Sequence, residues 1–130
     1  MKVQDYVNGI QHLGIPTADL EKTTEFYTGL GFEIIFQRTD PNSGNTWVFY
    51  RLKDIVIEAY TRPSTAGVPG AVDHISIDVS DADAAFAAAV AAGYKVLGTE
   101  VRQLPFFENG VRLFMIEGPN GERLEFNQIL

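Results

Sequence analysis

The chain repeats itself, and that limits its possible folds more than any other feature. His12 and His74, Asp19 and Asp81, Gly31 and Gly93, and Phe32 and Tyr94 all stand at one offset of 62 residues. Glu58 and Glu125 stand 67 apart, near the carboxyl ends of the two halves. A repeat of this length in a chain of 130 residues implies two copies of one supersecondary unit, each with an apolar face to cover.

Both copies read in the same order. "NGIQHLGIPT" alternates like a strand, and "ADLEKTTEFYTGL" then switches to helical spacing, with Leu20, Phe26 and Tyr27 directed toward a core. Gly31 stops that helix. The strand-like runs "FEIIFQRT", "NTWVFYRL" and "DIVIEAYT" follow, separated by the turn chemistry of "DPNSGN" and "LKD". After the Pro/Gly/Ser/Thr-rich "RPSTAGVPGA", the order returns as strand "VDHISIDV", alanine-rich helix "SDADAAFAAAVAAG", and strands "YKVLGTEV", "NGVRLFMIEGP" and "ERLEFNQIL". The expected fold is α+β, two βαβββ modules at about 8–62 and 71–130 with a linker at about 63–70. At 45% hydrophobic residues the chain can bury the core of a single domain.

Charge and composition exclude several functions. Ten Lys and Arg against seventeen Asp and Glu leave a net charge of -7, which repels polyanions and argues against nucleic acid as a partner. "MKVQDYVNGIQ" lacks the apolar segment of a signal peptide, and no run reaches the length of a membrane span. The expectation is a cytoplasmic protein with no membrane partner. Zero cysteines rule out thiolate metal sites and cysteine nucleophiles.

Two imidazoles at equivalent positions, and one carboxylate in the core-facing register of each final strand, suggest joint action. His12, Glu58, His74 and Glu125 combine neutral nitrogen with hard oxygen, a donor set suited to one divalent Zn, Ni, Co, Mn or Fe(II) ion. Burying the carboxylates without a cation would cost several kcal/mol each, to order of magnitude. Taken singly, a histidine at a strand start is more often a hydrogen-bonded structural residue than a ligand, and a glutamate in an edge strand is usually a solvated face.

In "HLGIPTADLEKTTEFYTGLGF", "IVIEAY", "DHISIDV" and "NGERLEFNQ" the chain resembles the vicinal-oxygen-chelate superfamily, which contains glyoxalase I, fosfomycin-resistance and bleomycin-resistance proteins, extradiol dioxygenases and methylmalonyl-CoA epimerase. The resemblance implies curved mixed sheets around a metal-binding cleft, with the glyoxalase I ligands falling on His12, Glu58, His74 and Glu125. It also implies a homodimer in which each site takes two ligands from each chain. Among relatives, two carboxylates on one ion suit a substrate bound through neutral oxygens, a carboxylate serving as base for a carbon acid. The implied activity is that of a lactoylglutathione lyase-like lyase or isomerase on a small carbonyl substrate, through an enediolate or enolate, with Glu125 and Glu58 moving the proton. The alternatives are a non-catalytic small-molecule-binding resistance protein and a metal-dependent dioxygenase or transferase. "GIP" at Gly14 to Pro16 and "TRP" at Thr61 to Pro63 stand where bacterial glyoxalase I places residues that help hold glutathione, so that clamp is not reproduced.

Strand alternation puts Tyr60 on the face of Glu58, Ser76 on the face of His74, and Arg123 and Asn127 on the face of Glu125. Tyr60, Arg62 and Asn127 are candidate substrate contacts. Phe106 and Phe107, in the expected loop "RQLPFFENG", are candidates for a substrate-covering lid, with packing in a dimer interface as the alternative.

Overall fold

Each half begins with a short strand that leads into an aspartate-capped helix. In the computed structural model, which describes residues 1–130, the chain divides into two units, Met1–Thr65 and Ala66–Leu130. The first holds a 3-10 turn at Val3–Tyr6, then β1 (Leu13–Thr17), α1 (Leu20–Gly29), β2 (Glu33–Thr39), β3 (Thr46–Leu52) and β4 (Ile55–Thr61). Its sheet runs β1-β4-β3-β2, with β1 parallel to β4 and the other pairs antiparallel.

Local chemistry sets both ends of α1. The Asp19 side chain accepts from the Lys22 backbone N–H at 3.1 Å, which satisfies one donor of the exposed first turn. At the other end Gly31 takes φ +102, its N–H donating to the Thr28 carbonyl and that of Phe32 to the Tyr27 carbonyl, both at 3.0 Å. This is a Schellman cap, and the Phe32 ring closes it against Tyr27 at 5.3 Å. Thr23 and Tyr27, one helical turn apart, are the buried positions of α1. Leu20 and Phe26 are only half-buried, because the Thr23–Tyr27 stripe faces the sheet and Phe26 stands to its side.

The two faces of this sheet differ. Ile15, Thr17, Val48, Tyr50, Ile57 and Ala59 are buried on the helix side, where Tyr50 stacks on Tyr27 at 5.6 Å and its hydroxyl shares a 2.7 Å hydrogen bond with Thr24. Gly14, Glu58 and Phe49 are register partners on the opposite face, as are Pro16, Tyr60 and Trp47. Alternation therefore leaves Glu58 on the face that the helix does not cover.

The second unit repeats the arrangement with β5 (Ile75–Asp78), α2 (Ala82–Ala91), β6 (Lys95–Leu104), β7 (Val111–Glu117) and β8 (Arg123–Ile129), in the order β5-β8-β7-β6. Asp81 caps α2 through the Ala84 N–H at 3.0 Å, and Gly93 at φ +83 forms the same Schellman end. Alanine on every side makes α2 a strong helix former that packs by small size rather than by an apolar stripe. Phe86 meets Phe114 edge-on at 5.4 Å, over buried Ile116 and Leu124. Gln128 accepts from the Ala82 N–H at 3.0 Å, and Arg112 forks onto Asp83 at 3.0 and 2.7 Å. That hydrogen-bonded pairing holds the Asp83 carboxyl below its usual range.

β6 runs further than the expected strand "YKVLGTEV". Gln103 pairs with Arg112 and Leu104 with Val111, so only Pro105 to Gly110 form the turn of the hairpin. No helix is long and apolar enough to cross a membrane.

Candidate metal centre

Both candidate histidines stand one residue before a parallel strand, where the chain still lacks ladder partners and the imidazole can swing toward the uncovered face. His12 precedes β1, and its Nε2 lies 2.9 Å from Oε2 of Glu58 on the neighbouring β4. His74 precedes β5, and its Nε2 lies 3.7 Å from Oε2 of Glu125 on β8. The parallel pairings β1 with β4 and β5 with β8 bring each histidine to its carboxylate.

The other ring nitrogen is tied locally in both. His12 Nδ1 is 2.9 Å from the Gln11 side-chain oxygen, and His74 Nδ1 is 2.9 Å from Oδ2 of Asp73. Both side-chain oxygens can accept an Nδ1–H, and each Nε2 faces its glutamate. Metal-ligating histidines use this pattern, one nitrogen on the ion and the other donating to an outer oxygen. Gln11 and Asp73 were not among the residues singled out from the sequence, although they obey the same offset as the histidines.

The spacing of the donors fits a metal. Two donors bound at about 2.1 Å to one ion lie roughly 3.0 Å apart at a right angle and about 3.4 Å at a tetrahedral angle. The observed 2.9 and 3.7 Å separations bracket those values. No three His, Asp or Glu side chains come together in a group that could hold an ion. The chain thus builds two His–Glu pairs, one in each unit.

The two pairs have different surroundings. His12 packs edge-on against Phe49 at 5.4 Å, and Phe36 meets Phe49 at 6.0 Å, so the first pair lies beside aromatic side chains. Arg62 sits 4.6 Å above the Tyr60 ring and donates to the Thr61 carbonyl at 2.9 Å. Glu125, only 7% exposed, accepts at Oε1 from the Ser76 hydroxyl at 2.9 Å and from the Asn127 amide at 3.0 Å. Asn127 Oδ1 and Arg123 Nε, two positions either side of Glu125 on the same strand face, are buried without a hydrogen-bond partner. Buried orphan polar atoms are uncommon in folded proteins, and a ligand or water is their usual explanation.

Phe106 and Phe107 lie in the β6–β7 turn, 52% and 75% exposed, with Phe107 at φ +58. An open depression of about 390 Å³ is lined by Gln103, Leu104, Pro105, Phe107, Glu108, Asn109 and Gly110, and none of the four candidate ligands borders it.

Known proteins resemble this chain in sequence or in fold. The uncharacterized protein YwbC of Bacillus subtilis (strain 168) is 32% identical over 126 residues, covering 92% of this chain and 96% of YwbC. A glyoxalase family protein from Enterococcus faecalis superposes with a TM-score of 0.78 at 20% identity, covering 94% of this chain and 98% of that one. The fosfomycin resistance protein FosX from Listeria monocytogenes, solved with Mn(II) and sulfate ion, superposes with a TM-score of 0.75 at 16% identity, covering 95% and 94%. The family model described as the Glyoxalase/Bleomycin resistance protein/Dioxygenase superfamily matches residues 9–126. The chain, with its paired βαβββ modules, belongs to that superfamily, the vicinal-oxygen-chelate group.

Proposed function

We propose that the protein is a metal-dependent, glyoxalase I-like lyase or isomerase that acts on a small carbonyl substrate through an enediolate or enolate. The observation that carries this reading is the matched pair of His–Glu contacts, each with the histidine's Nδ1 tied to a neighbouring oxygen and its Nε2 offered beside a carboxylate. His12, Glu58, His74 and Glu125 would hold one divalent ion, of Ni, Zn, Co, Mn or Fe(II). Such an ion, when bound, supplies Lewis-acid polarisation of the substrate carbonyl. Superfamily membership and the Mn(II) in FosX support the choice of a divalent metal. Homodimerisation, carried over from small relatives, would join a pair from one protomer to a pair from its partner.

The chain's own residues do the rest. Glu125 removes a proton from the carbon beside the carbonyl and returns it to the neighbouring carbon, with Glu58 as second proton carrier. Arg62, held over Tyr60, meets a carboxylate or other anionic oxygen on the substrate. The buried Oδ1 of Asn127 accepts from a substrate hydroxyl. Phe106 and Phe107 close over the bound substrate and exclude water. Two carboxylates balance a divalent charge, which favours neutral-oxygen substrates over the anionic phosphonates of fosfomycin-type enzymes. The protein would do this work in the cytoplasm.

Glu125→Gln tests the assignment. Gln keeps a carbonyl oxygen for Ser76 and Asn127 but cannot take up the proton. Turnover in hemithioacetal isomerisation or carbon-acid epimerisation assays should fall by about a thousandfold with substrate binding retained. Unchanged turnover would remove Glu125 from the role.

A further inference from the structure

The two carboxylates occupy equivalent repeat positions, yet only one has its carboxylate oxygens separated by dedicated donors. Ser76 and Asn127 both donate to Oε1 of Glu125, at 2.9 and 3.0 Å, while Oε2 faces His74. In the first unit, Gly14 stands where Ser76 does in the repeat, and Tyr60 stands where Asn127 does. Gly14 pairs with Glu58 just as Ser76 pairs with Glu125, but it has no side chain to donate.

From this we infer that Ser76 and Asn127 are positioning residues, which hold Glu125 so that it offers a single oxygen, Oε2, toward the ion and the transferred proton. The inference rests on the metal reading above. Two donors on one oxygen fix the carboxylate plane and leave the second oxygen as the only one without side-chain donors. Asn127 leaves its own Oδ1 buried and unpaired, so its bond to Glu125 is the hydrogen bond that sets the amide's orientation. Asp73 orients His74 in the same way, so the second unit presents a pre-set ligand pair. The first unit's glutamate lacks such a clamp and meets His12 through Oε2.

Mn(II) titration by calorimetry on the full chain, as parent, Ser76→Ala, Asn127→Leu and Ser76→Thr, tests this. Loss of an outer-shell donor is expected to weaken Mn(II) binding about tenfold in each of the first two variants. Ser76→Thr keeps a hydroxyl on a strand-compatible side chain and should bind within roughly twofold of the parent. Thermal unfolding of the metal-free proteins checks that each variant is folded. If Asn127→Leu is not, the Ser76 pair of variants decides alone. Parental Mn(II) affinity in Ser76→Ala, or failure of Ser76→Thr to restore it, overturns the positioning role and leaves the metal reading intact. A parent chain that binds no Mn(II) removes both.

Discussion

Single atoms decide how much of this protein's polar interior is structure and how much is site. Tyr50 belongs to structure: it is fully buried, stacks on Tyr27, and shares its hydroxyl with Thr24 at 2.7 Å. Burial pushes its phenol above the usual tyrosine value, and the Thr24 hydrogen bond offsets part of that rise. A raised pKa means that folding favours the protonated phenol, so this contribution is complete below pH 10.0, the ordinary value, and is lost as pH rises through the folded value. Tyr50→Phe should cost about 1 kcal/mol near neutral pH and blunt the loss of stability above that range, as read by urea unfolding across pH. An unchanged alkaline profile would assign the loss to other groups. Glu125 is the candidate on the other side of this divide: alternation puts Ser76 on the face of His74 and Asn127 on the face of Glu125, and the β5–β8 pairing brings both donors to one carboxylate oxygen. Neither bond nor its shared oxygen is legible in the sequence, because alternation gives the face and not the rotamer. Gln11 and Asp73 were legible in principle, since each precedes a histidine at the same offset.

Elements follow the repeat closely where local chemistry acts alone. Both helices begin one residue after an aspartate and end in a Schellman cap one residue before a glycine of positive φ. Adding a Cβ at Gly93 meets nothing within 4 Å, so any cost there comes from the backbone conformation itself. Gly93→Ala is therefore expected to destabilise by about 1 to 2 kcal/mol with the two His–Glu pairs untouched. Chemical denaturation beside a metal titration would show it; a loss of metal binding without a loss of stability would contradict a purely local role. Tertiary pairing explains the misread elements. Gln103 and Leu104 read as loop next to Pro105, yet each finds a partner on β7 and extends β6. Trp47 and Phe49 share the uncovered face with Glu58 and are half-buried, whereas Tyr50 of the same strand is fully buried. The pattern showed which residues share a face but not which face the helix covers.

For the whole molecule, the repeat supplies two equivalent His–Glu pairs, which the proposed function joins on one ion. β2 carries Ile34, Ile35 and Phe36 exposed at 46%, 44% and 57% along an edge strand, apolar surface of the kind that protein contacts cover. That is consistent with the proposed homodimer. The most direct test of the central claim is elemental analysis of divalent metal in the purified, untagged protein, run beside His74→Ala. About one ion per chain in the parent, lost in His74→Ala, is the expected result. No metal in the parent, even after incubation with Ni, Zn, Co, Mn and Fe(II), would contradict the account, making the histidines structural and the protein a metal-free small-molecule binder.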